Sequence, residues 1–115
     1  MHALDTARVL AKDIRETEEY KEYAACKERI GDDAGIKSLI REFKKLQVAV
    51  QMGAVIGKTA AESDTQRFQA LSSLLFSDDR TREYLMAEIR LQRMMAEIFG
   101  ILQEASGIEM EIPGI

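Results

Sequence analysis

The chain has 115 residues, 46% of them hydrophobic and 31% charged, and a formal net charge of −4. Such a length fits one domain with a modest core and leaves no room to hide a second. The apolar content excludes a disordered chain, and the acidic balance argues against a general nucleic-acid binder, which carries basic excess.

One proline, no tryptophan and many Ala, Leu, Glu, Lys, Arg and Met residues favour helix throughout. A first helix is predicted from about Asp5 to Glu16, with Leu4, Ala7, Leu10, Ala11 and Ile14 at helical spacing. Thr17 is an N-cap candidate for a second helix, because Glu18 and Glu19 follow it at the positive end. That helix carries Tyr20, Tyr23, Ala24 and Ile30 on one side and is expected to stop near Gly31. Asp32 or Asp33 then caps a third helix with apolar positions Ile36, Leu39, Ile40, Phe43, Leu46 and Val50. Its three-four alternation makes a coiled-coil-like seam, expected to end near Gly57 or to loosen at Gly53.

A fourth helix is predicted from about Ala60 to Phe76, with Phe68, Leu71, Leu74 and Leu75 as its apolar set. Ser77-Asp78-Asp79 reads as a stop followed by a cap, opening the longest helix, from about Arg80 to Ser106. Gly107 ends it, and the tail from Ile108 to Ile115 reads as short and extended. The expected fold is all-α: a bundle of about five helices, with a long helical hairpin and a long C-terminal helix, in one domain spanning residues 1–115.

The N-terminal stretch has charges from Asp5 onward and no uninterrupted apolar core, so no secretory signal is expected. Val48 to Ile56, the longest weakly polar run, is broken by Gln51 and too short for a bilayer, so no membrane association is expected. The one cysteine, Cys26, fits a reducing compartment, and the expected location is cytoplasmic.

The inventory for chemistry is poor. A carboxylate-bridged metal centre in a bundle needs Glu-x-x-His pairs facing inward, and the only histidine is His2. A thiolate nucleophile at Cys26 has no internal histidine to serve as its base, which makes Cys26 a small buried hydrophobe at the edge of the tyrosine face. The spacing Gly53 to Gly57 is a close-packing motif of membrane helices and carries little outside an apolar 20-mer. The chain is therefore expected to be no enzyme, to hold no metal or other cofactor, and to take no small-molecule substrate.

Two constellations remain. Lys37, Arg41, Lys44 and Lys45 fall within a roughly 100° arc on the third helix, nearly opposite its seam. They form a candidate docking stripe for RNA or an acidic partner, weighed against a solvated helix face in which Glu42 also takes part. On the last helix one stripe contains Tyr84, Ala87, Leu91, Met94, Met95, Ile98, Ile101, Leu102 and Ala105. A second, turned by about 150°, contains Leu85, Ile89 and Ala96, with Phe99 between the two. A surface helix in a monomer needs only one stripe of about 100°. Leu85, Ile89, Ala96 and Phe99 are accordingly the candidate interface with a second subunit, and a homodimer is expected.

Two blocks carry a resemblance to a known family. Thr17-Glu18-Glu19-Tyr20 is followed by Ile30, Asp33, Leu39, Ile40, Phe43 and Gln47, a pattern of caps and aromatics. Ala87-Glu88, Arg90-Leu91 and Ala96-Glu97-Ile98 follow in the final helix. The chain resembles the YlbF/YmcA-like family of small bacterial regulators, closest to its short members, over nearly its whole length. The resemblance implies an all-α fold, homodimerisation or wider oligomerisation, and no known enzymatic activity. It also implies a part in a regulatory complex that promotes competence, biofilm formation and sporulation by adjusting an mRNA-cleaving endoribonuclease. Some such members share iron–sulfur clusters through cysteines, whereas this chain has Cys26 alone where a cluster usually takes four thiolates. The expected function is a non-catalytic helical adaptor acting on other regulatory proteins. The alternative is a nucleic-acid-binding accessory factor using the Lys37 to Lys45 stripe.

Overall fold

A computed structural model describes residues 1–55 and 62–108, and these form five helices with no strand among the described residues. They are α1 (His2–Arg15), α2 (Glu18–Ile30), α3 (Ala34–Val55), α4 (Glu62–Ser77) and α5 (Asp79–Ser106). The all-α expectation is met. The expected helix end near Gly57, the start near Ala60 and the tail beyond Ile108 lie outside the described residues.

The joints are made by short polar side chains that satisfy helix ends. Thr17 serves two helices at once: its hydroxyl donates to the Ile14 carbonyl at 2.6 Å, and its oxygen accepts the Tyr20 amide at 3.2 Å. One orphan acceptor of α1 and one orphan donor of α2 are thereby paired. Glu16 closes α1 in a right-handed helical conformation, so the chain turns here without a glycine. Gly31 has φ 61°, a left-handed conformation that favours glycine, and it ends α2. Asp33, of the two aspartates, caps α3 by accepting the Ile36 amide at 3.0 Å. Asp78 accepts the Arg80 amide at 2.8 Å to open α5, and Gly107 with φ 70° closes it. The first helix starts at His2 rather than near Asp5, because the Asp5 amide already bonds to the Met1 carbonyl at 3.2 Å without any side-chain cap.

The described chain divides into two compact units, one of Met1–Arg29 with the chain from Tyr84 onward, the other Ile30–Glu83. In the second unit α3 and α4 pack on each other as a helical hairpin. Phe43 sits at its centre, with ring centroids 5.1 Å from Phe68 and 6.4 Å from Phe76. Ile40, Leu71 and Leu75 complete the core, and Leu71 is only 1% exposed. Glu42 and Arg67 clasp the two helices outside it in a bidentate pair at 2.8 and 3.1 Å. The guanidinium holds the Glu42 carboxyl below its usual range by hydrogen bonding. Thr81 is buried, and its hydroxyl donates to the Leu75 carbonyl, with the Asp78 carbonyl 3.2 Å away. It locks the last turn of α4 to the first turn of α5.

In the first unit α2 meets α5 at a tyrosine pair. The Tyr23 and Tyr84 rings lie 5.5 Å apart, their hydroxyls are 3.3 Å apart, and Tyr84 donates to Glu88 at 3.3 Å. Cys26, Tyr84, Leu85 and Ala87 are the buried residues of this unit among those described, and an Arg90–Glu22 ion pair joins the same two helices. Burial pushes the Tyr23 phenol up to about 12, and its hydrogen bond to Tyr84 adds to the shift. No residue of α1 is buried, although Leu10 and Ile14 are half-buried.

These contacts give three expected outcomes. Thr17→Ala removes a cap and should destabilise the protein by about 1 kcal/mol in denaturant unfolding. Thr81→Val keeps the shape and withdraws a buried donor from the Leu75 carbonyl, which should cost about 1–3 kcal/mol by the same measurement. The fold favours protonated Tyr23. Its contribution should be complete below the free-phenol value of 10.0 and decline as pH rises toward about 12. The alkaline fall in melting temperature should therefore be shallower in Tyr23→Phe.

Candidate interaction surfaces

The residue set that sequence singled out on α3 lies wholly within the hairpin unit. Arg41 and Lys45 are exposed, Lys44 is half-buried, and Lys37 is exposed with its ammonium 3.5 Å from Asp32. Helical periodicity places the four on one flank of α3, as expected from their spacing. Glu42, which lies within the same stretch of sequence, is engaged by Arg67 rather than by these cations. The stripe is thus a surface of exposed and partly paired charge, with Asp32 balancing one end. Exposed pairs of this kind add little to stability.

The second set lies on α5 in the first unit. Leu85 is 4% exposed and covered by its own chain. Ile89 is 36% exposed, and Ala96 and Phe99 are half-buried. The presented part of this face therefore runs from Ile89 to Phe99. The other stripe of α5 changes character along its length: Tyr84 and Ala87 are buried, Leu91, Met94, Met95 and Ile98 are half-buried, and Ile101 and Leu102 are exposed.

Cys26 is buried and receives a weak hydrogen bond from Arg29 at 3.3 Å to its Sγ. No group of three or more His, Cys, Asp or Glu side chains able to hold a metal ion occurs among the described residues. No helix of the described residues is long and apolar enough to cross a membrane. A shallow groove in the hairpin unit is lined by Ile36, Leu39, Leu74, Leu75, Ser77, Asp78 and Thr81. Its floor is aliphatic, and its polar groups are the cap and hydroxyls that already serve the α4–α5 joint. The sequence reading identified Leu74 and Leu75 as one apolar set, but Leu74 faces out at 53% exposure while Leu75 is 2% exposed. Adjacent residues on a helix are 100° apart, so the pair cannot share one covering. The sequence reading also missed the tyrosine hydrogen-bond chain. The spacing of Tyr20 and Tyr23 was visible, whereas the hydroxyl partners lie on α5, more than sixty positions away.

Comparisons with known proteins agree with this architecture. Residues 3–105 match the family model described as "Control of competence regulator ComK, YlbF/YmcA". A UPF0342 protein of Desulfitobacterium hafniense is 33% identical over 105 residues, covering 91% of this chain and 85% of that protein. A UPF0342 protein of Symbiobacterium thermophilum is 30% identical over 106 residues, covering 92% and 95%. Among solved structures, a DUF964 protein from Bacillus stearothermophilus is similar with a TM-score of 0.66 at 18% identity, covering 92% of this chain and 91% of that one, which supports the fold alone. The family match extends from the start of α1 to the last turn of α5, and the chain is a member of the YlbF/YmcA family.

Proposed function

We propose that this protein is a non-catalytic adaptor of a bacterial regulatory complex, working through helical surfaces on itself and on partner proteins. The observation that carries the reading is the match of residues 3–105 to a family described as controlling the competence regulator ComK. A controlling protein of this kind acts by binding. The chain supports that mode: its distinctive features are apolar and charged helix faces on the outside.

Self-association is part of the proposal. Ile89, Ala96 and Phe99 make a contact face on α5, supplementing an exposed set that includes Ile101 and Leu102. A partly exposed apolar face on a helix whose other stripe packs inward at Tyr84 and Ala87 suits a second protein surface. The chain is read as one domain of two units, located in the cytoplasm. Its single, buried cysteine suits a reducing compartment.

Capture of the tagged protein from a bacterium that encodes it, with and without nuclease, tests the adaptor reading. Regulatory proteins recovered equally in both samples are expected. Recovery that vanishes with nuclease would instead favour the nucleic-acid reading of the Lys37, Arg41, Lys44 and Lys45 stripe. Replacing Lys37, Arg41 and Lys44 by Gln should leave capture unchanged and shift stability little. For the α5 face, Ile89→Glu should keep helicity by circular dichroism while weakening self-association at least tenfold in sedimentation experiments. An unchanged association constant would remove Ile89 from the interface.

A further inference from the structure

Helix α1 and the distal part of α5 belong to the same unit, and both carry an apolar stripe that their own chain leaves largely open. In α1 the stripe is Leu4, Ala7, Leu10, Ala11 and Ile14; none is buried, and Leu4 is 54% exposed. In α5 it continues through Met94 and Ile98 to Ile101 and Leu102, which are 66% and 52% exposed. A 14-residue helix is marginal in water without a covered face.

Charge selects the occupant. Arg8, Lys12 and Arg15 line one edge of the α1 stripe, and all three are exposed. Glu97 and Glu104, also exposed, line one edge of the α5 stripe. Arg8 to Arg15 and Glu97 to Glu104 have the same seven-residue spacing, two turns of helix. Seen from each N-terminus, the basic line lies clockwise of its stripe and the acidic line anticlockwise. Two stripes brought face to face with their helices parallel therefore set the basic line against the acidic one. Arg93 lies on that edge of α5 one turn before Glu97, outside the span of the pairs. Arg8 is bonded to Asp5 at 2.9 Å, but that pair is exposed on both sides and can exchange at little cost.

We propose that α1 of one chain pairs in parallel with the distal half of α5 of a second copy, reciprocally about a two-fold axis. The apolar stripes form the seam, with Arg8 and Arg15 facing Glu97 and Glu104 of the other molecule. This rests on the homo-oligomer reading above and adds to the Ile89 face a second, charge-coded contact.

Charge reversal on separate chains tests it. One chain carries Arg8→Glu and Arg15→Glu, so both its surfaces are acidic; the other carries Glu97→Arg and Glu104→Arg, so both are basic. Each alone should keep its helicity, since the altered side chains are exposed, and should self-associate at least tenfold more weakly than wild type. Mixed in equal amounts, they should form a heterodimer at least tenfold tighter than either homodimer, because both reciprocal contacts are again opposite in charge. Sedimentation velocity with one chain fluorescently labelled reads this directly. If either variant loses helicity, the neutral pairs R8Q/R15Q and E97Q/E104Q replace them; each should weaken self-association, and unchanged association overturns the proposal. Reversed chains that self-associate like wild type, or that fail to prefer each other, overturn the pairing while leaving a homo-oligomer standing. A monomeric wild type overturns both.

Discussion

An amphipathic helix is stable in water only where something covers its apolar stripe, and the two units of this chain meet that requirement to different degrees. In the hairpin unit the covering is internal. Phe43 on α3 is enclosed by Phe68 and Phe76 of α4, and Leu71 and Leu75 are almost fully buried beside it. Full burial of side chains of this size contributes about 1.5–3 kcal/mol each, and the Glu42–Arg67 clasp adds orientation more than stability. In the other unit the buried side chains are confined to Cys26 on α2 and Tyr84, Leu85 and Ala87 at the start of α5, where Tyr23 meets Tyr84. Beyond Ala87 the stripe of α5 and the whole of α1 hold no buried side chain. The same physical rule that builds the hairpin therefore leaves this unit with apolar side chains in the open.

The boundaries of the helices were largely legible because caps are local. Thr17, Asp33 and Asp78 each bond an amide two or three positions ahead, and Gly31 and Gly107 adopt the left-handed conformation that ends a helix. Those relations are encoded within four residues, so spacing and residue type reveal them. The start of α1 was not legible, because a first turn without a side-chain cap leaves no residue-type signal. Thr81 was missed for a different reason. Its acceptor is the Leu75 carbonyl six positions back across a helix joint, and every residue offers a carbonyl.

The surfaces were legible as angles but not as coverings. Periodicity placed Leu85 with Ile89 and Ala96 on one side of α5, and the geometry of a helix guarantees that much. It could not tell that Leu85 is enclosed within its own chain while Ile89 is presented. The exposure gradient along the main α5 stripe was equally invisible, since Tyr84 and Leu102 occupy equivalent wheel positions and yet are 8% and 52% exposed. The basic stripe was read correctly as a flank of α3. Which charges find partners depended on Arg67 of α4 and Asp32 before the helix, and only the folded chain brings Arg67 to Glu42.

The proposed role is one of recognition. The family description concerns control of a regulator, and α1 and the distal half of α5 carry exposed apolar side chains. If a second chain covers what this one leaves open, folding and association are thermodynamically linked, and stability depends on protein concentration. The melting temperature measured across a hundredfold concentration range tests that linkage most directly. The account predicts a melting temperature that rises steadily with concentration, accompanied by a growing dimer population in sedimentation. A melting temperature independent of concentration, in a sample that stays monomeric at its highest concentration, would contradict it.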